Sequence, residues 1–91
     1  MKVFPTDPEP GEYRFVNIPR VGRRLAYVIS ITRSLGVVVT HARSPGSSWS
    51  KQHVMFFVDV VKDERPSPHQ IESVVKSIGS PLAKISKVYA R

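Results

Sequence analysis

The side chains able to do chemistry in this chain are three histidines, a group of serines and an unbalanced set of arginines. His41, His53 and His69 lie 12 and 16 residues apart, and the chain has no cysteine. Metal ligands that share a local motif usually sit about two to five residues apart, so this spacing predicts no metal site, and nothing else in the chain implies a cofactor. Ser44, Ser47, Ser48 and Ser50 offer hydroxyls. A nucleophile also needs a base and a group to orient that base, and no pattern here supplies them, so the chain reads as non-catalytic. The arginines are more telling. Between Glu12 and Asp59 there is no acidic residue, while Arg14, Arg20, Arg23, Arg24, Arg33, Arg43 and Lys51 all fall there, half of the 14 Lys+Arg in a chain of net charge +7. Such a stretch is either a solvated basic face or a surface for phosphates, other anions or an acidic protein partner.

These residues must be positioned by one small domain, since 91 residues allow a single modest core. A core of that size makes a homodimer an expectation. The longest apolar runs, Val37-Val38-Val39 and Val54 to Val58, are far short of a bilayer span, so the chain is expected to be soluble and cytoplasmic with no membrane partner. Pro5, Pro8 and Pro10 remove backbone donors, which predicts an extended lead-in over residues 1–11 and a folded domain over 12–91.

Along that domain, Tyr13 to Ile18 reads as a strand that stops at Pro19. Val21, Leu25, Val28, Ile29, Thr32 and Leu35 then recur at helical spacing ahead of Gly36, which predicts a helix over 21–35; the β-branched content of Tyr27 to Thr32 also permits a strand. Val37 to Ala42 reads as a strand, Ser44 to Ser48 as a turn, and Gln52 to Val61 as a strand apolar on both faces. Ser67-Pro68-His69-Gln70 is a capping box with proline at the first helical position, and Ile71, Val74, Val75 and Ile78 follow as the apolar stripe of a helix that Gly79 ends. Ala83 to Ala90 reads as a final strand. The sum is an α+β fold, a ferredoxin-like βαββαβ plait in which two helices cover one face of a four-stranded antiparallel sheet.

The stretch from Val21 to Val61 resembles the ACT domain, the regulatory amino-acid-binding domain attached to prephenate dehydratases and aromatic amino-acid hydroxylases. The resemblance rests on Leu25, Val28 and Ile29, on Gly36-Val37-Val38-Val39-Thr40-His41-Ala42-Arg43-Ser44-Pro45, on Phe56-Phe57, and on a closing Lys87-Val88-Tyr89-Ala90. It selects the helix over 21–35. It also implies a dimer with a small-ligand site at the subunit boundary, formed by Gly22, Arg23, Arg24, Leu25, Thr40, His41, Arg43 and Ser44. Arg23 and Arg24 stand where the family has Gly-Ala, and Arg43 where it has Glu, so an anion is favoured over an ammonium group at those places.

The function this resemblance implies is a non-catalytic, allosteric regulatory domain, which binds an amino-acid effector, an aromatic one above all, and controls a separate or attached metabolic enzyme. The alternative is a basic nucleic-acid-binding module, an RNA binder above all. His53 to Val58 lacks the glycine and aromatic spacing of an RNA-recognition strand, so that binding would rest on the central arginines. Trp49, in the polar connection, is expected to fold back on the core.

Overall fold

The structure, a computed structural model, describes residues 7–34, 36–43 and 48–82. They build four strands, β1 (Tyr13–Ile18), β2 (Gly22–Ile31), β3 (Gly36–His41) and β4 (His53–Phe56), then a 3-10 turn (Phe57–Asp59) and one helix, α1 (Pro68–Ile78). The strands pair antiparallel in chain order, β1-β2-β3-β4. The result is a four-stranded antiparallel sheet with one helix, an α+β arrangement.

The helix expected over 21–35 is not formed. Its residues make β2, paired on one side with β1 and on the other with β3. Two local features explain the difference. Residues 18–22 turn tightly, with Val21 N–H donating to the Ile18 carbonyl at 3.0 Å and with Arg20 (φ 67) and Gly22 (φ 105) in the left-handed region. This hairpin leads directly from β1 into β2 and leaves no room for a crossover helix. Farther on, the pairing of β2 with β3 shifts between Val28 and Ser30, a bulge that inserts one residue. Val28 and Ile31 consequently face the same side although three residues apart, which imitates a helical repeat. Leu25, assigned to the same stripe, points to the opposite face. The ferredoxin-like order, which needs that helix between the first two strands, does not describe these residues.

Strand β4 is also shorter than the Gln52 to Val61 expected. After the 3-10 turn, Val60 bridges back to Val16, and Val61 N–H donates to the Phe15 carbonyl at 2.9 Å. The sheet therefore curls until the chain leaving one edge meets the other. Both faces of this segment are apolar because Met55 and Val60 point inward while Val54 and Phe56 do not. The predicted final strand over 83–90 lies outside the described residues, as does Ser44.

The concave face carries the core: Val16, Ala26, Val28, Val37, Val39, Met55 and Val60, with Ile18, Ile31 and Phe57 packed against it. Residues 7–12 pack onto the sheet. Gly11 N–H donates to the Val28 carbonyl and Val28 N–H to the Glu12 carbonyl, each at 2.8 Å, and Asp7 and Pro8 are buried. Helix α1 starts as the sequence dictates, with the Ser67 hydroxyl accepting from Gln70 N–H and the Gln70 side chain accepting from Ser67 N–H. None of its residues is fully buried. It is tied down at its far end, where the buried Trp49 donates Nε1–H to the Gly79 carbonyl at 2.7 Å. Among the described residues no helix is long and apolar enough to cross a membrane.

Candidate functional site

The antiparallel register brings the β1–β2 turn, the start of β2, the end of β3 and the start of β4 to one end of the sheet. Residues paired across strands share a face, so the pairings Val16 with Arg24, Ala26 with His41 and Val39 with His53 place Arg24, His41 and His53 on the core face. At this end the apolar layer gives way to one guanidinium and two imidazoles on three consecutive strands.

His41 Nδ1 and His53 Nε2 lie 3.0 Å apart, with the rings at 86°. One nitrogen must therefore donate and the other accept. Burial holds the His41 pKa below the usual imidazole value, and the nearby charges of His53, Arg24 and Arg43 push it the same way; burial lowers His53 as well. Both rings are thus neutral at pH 7. The backbone under His41 is fixed by Ser50, whose N–H donates to the His41 carbonyl at 2.8 Å and whose hydroxyl accepts from His41 N–H at 3.0 Å. Arg24 braces the end of β3, donating Nε–H to the Arg43 carbonyl at 3.2 Å and Nη1–H to the Arg23 carbonyl at 3.1 Å. A guanidinium carries five donors, so most of them remain for a ligand.

Beside this cluster runs a cleft of about 480 Å³ lined by Ile18, Pro19, His41, His53, Val54, Met55, Phe56 and Asp59. It separates the end of β1 from the outer edge of β4, where the sheet has not closed. Phe56 is 73% exposed and Val54 61%. An open aromatic face thus stands along the same cleft as the imidazoles.

The residues expected to form a ligand site divide accordingly. Arg24, His41 and Arg43 come together. Arg23 points to the other face, where it pairs with Glu64 and lies 5.4 Å above the Phe15 ring. Leu25 is buried, and Thr40 is buried with its hydroxyl donating to the Ser50 carbonyl at 2.6 Å, so both serve packing. Gly22 supplies the turn. The resemblance implied a helix start at these residues, whereas Gly22 to Leu25 lie extended and pair with β1. Sequence reasoning missed His53, Phe56 and Asp59; the available signal was strand pairing, because β4 runs antiparallel to β3 and so starts beside His41.

Among the described residues no three His, Asp or Glu side chains lie close enough together to hold a metal ion. The arrangement instead suits an anion, which can meet Arg24, Arg43 and the imidazoles, with an apolar or aromatic group lying against Phe56. Set beside known proteins, the chain matches no family model, no curated protein and no solved structure, so no relative lends support to the ACT resemblance.

Proposed function

We propose that this protein is a non-catalytic binding module for single-stranded nucleic acid, taken up along the cleft between β4 and the end of β1. The observation that carries this reading is the grouping of Arg24, His41 and His53 on one face of β2, β3 and β4, beside a cleft that also exposes Phe56. Proteins that bind single strands combine a basic track for the phosphates with an aromatic ring on which a base stacks. Arg20, Arg43 and Lys51 extend the basic track at the same end of the sheet, and among the described residues the only acidic side chain lining the cleft is Asp59. The amino-acid effector and the regulated enzyme implied by the ACT resemblance are not carried forward, because both relied on the helix expected over 21–35, a span that forms β2. The strip formed by Val54, Phe56 and the exposed Val58 favours a second reading, a homodimer joined through this edge.

The test is fluorescence anisotropy with a labelled single-stranded oligonucleotide of about twelve nucleotides, as RNA and as DNA. Four to five phosphate contacts on a single strand predict a salt slope of about −3, so raising salt from about 50 to about 200 mM should weaken binding roughly 50-fold. Arg24→Gln and Phe56→Ala should each weaken it about tenfold. Absence of binding at the lower salt with protein at about 100 μM would overturn the reading, since non-specific binding alone usually reaches that range. Sedimentation velocity, with Phe56→Asp as the control, decides the dimer separately.

A further inference from the structure

The hydrogen-bonding capacity of the imidazole pair carries the argument beyond general attraction of charge. Each neutral ring has one N–H and one bare nitrogen. In either tautomeric arrangement the bridge between His41 Nδ1 and His53 Nε2 uses one N–H and one lone pair. The two outer nitrogens, His41 Nε2 and His53 Nδ1, then hold one proton between them, so the pair presents one donor and one lone pair to the cleft. A phosphate oxygen is attracted by the donor and repelled by the lone pair. A third proton, placed on the bare outer nitrogen, changes this: both outer nitrogens become donors, and the bridge survives as a stronger, charge-assisted bond. A fourth proton would destroy the bridge and set two cations 3.0 Å apart. The states that matter are therefore the neutral pair and the monocation.

We propose that the His41–His53 pair is the phosphate subsite of the cleft and takes up one proton when a phosphate group enters. This rests on the nucleic-acid reading above and names the part of the site that grips the backbone. The surroundings make the proton conditional on the ligand. Arg24 from β2 and Arg43 beyond β3 oppose protonation, as does burial, while Asp59 from the 3-10 turn is the only carboxylate lining the cleft among the described residues. The pair is consequently neutral when the cleft is empty. A phosphate brings the negative charge that reverses the balance, and it also pairs with the two guanidinium groups that opposed the proton. Neither outer nitrogen donates to or accepts from another group among the described residues, so both are free to turn to a ligand.

The experiment is isothermal titration of the whole chain with the same oligonucleotide near pH 7, in two buffers of different ionisation enthalpy. The difference in apparent heat counts the protons taken up. The expected result is uptake of between about half a proton and one proton, with affinity rising by up to about tenfold per pH unit toward pH 6. The double variant His41→Gln/His53→Gln should abolish the uptake and weaken binding, with the residual affinity carried by the arginines and still salt-sensitive. Trp49 fluorescence verifies that the variants are folded, and imidazole nitrogen NMR of the unaltered protein, with and without oligonucleotide, reads the added proton directly. Binding without uptake, or uptake that survives in the double variant, overturns the inference and leaves the nucleic-acid reading intact. Failure to bind at any pH overturns both.

Discussion

At the scale of single residues, the imidazole pair makes the stability of the empty protein depend on pH in a determined direction. The folded pKa values of His41 and His53 lie below the 6.5 of a free imidazole. Between the folded values and 6.5 the unfolded chain binds more protons than the folded one. Stability is therefore complete above pH 6.5 and declines as pH falls below it. Melting temperature should drop from about pH 7 toward pH 5, and His53→Gln, which removes one titrating ring and relieves the other, should flatten that decline. A slope unchanged by the substitution would show that other groups govern the acid side. Arg14 illustrates a cation with a different task. Its side chain is fully buried, with Nη2 donating to the Val61 carbonyl at 2.9 Å and Nη1 3.4 Å from Glu12, so it fastens β1 to the segment that closes the sheet. Arg14→Met keeps the volume and deletes the tie, and urea unfolding should register a loss of about 2 kcal/mol, the scale of a charge-assisted hydrogen bond.

At the scale of elements, α1 depends on the Trp49 anchor because it contributes no fully buried residue of its own. Trp49→Phe retains most of the ring's apolar surface and removes the bond to Gly79, so hydrogen exchange should accelerate across Pro68–Ile78 far more than across β2 or β3. Equal acceleration everywhere would mean that Trp49 supports the sheet and not the helix. Gly36 marks a close approach of the opposite kind, where an added Cβ would sit 2.7 Å from Val54 Cγ1 and 3.0 Å from Thr32 Oγ1. Gly36→Ala should cost about 1 to 2 kcal/mol, and Val54→Ala in the same chain should restore part of it. The elements that were legible in the sequence are those in which local chemistry and packing agree. Ser67, Pro68 and Gln70 fix the start of α1 without tertiary help, and Pro19 stops β1. Strand β2 was misread because a bulge put Val28 and Ile31 on one face at a helical interval, and a bulge is a property of two paired strands that one strand's residues do not display. The site suffered from the same blindness. His41 and Arg43 could be singled out by position along the chain, whereas His53 and Phe56 become partners only through pairing across a turn and closure of the sheet.

At the scale of the whole molecule, the question is whether binding follows total charge or its placement. Arg43 lies at the end of the sheet that holds the imidazole pair, and Arg33 lies in the β2–β3 turn at the opposite end. Both are exposed, and reversing either one changes the net charge from +7 to +5. The molecule measures 34 × 33 × 26 Å, and a ten-residue strand such as β2 spans roughly 30 Å, several times the screening length of about 8 Å at physiological salt. A ligand held at one end should therefore be nearly indifferent to a charge at the other. Arg43→Glu is expected to weaken oligonucleotide binding by more than tenfold and to flatten the salt slope by about one unit, while Arg33→Glu should change affinity less than about twofold at the same salt. Equal losses from the two reversals would mean that the basic surface acts as a diffuse cloud, and the cleft between β4 and the end of β1 would lose its claim to be a site. Unequal losses in the predicted order would tie the excess of positive charge to one place in the fold, where the core face stops being apolar and the sheet has not closed.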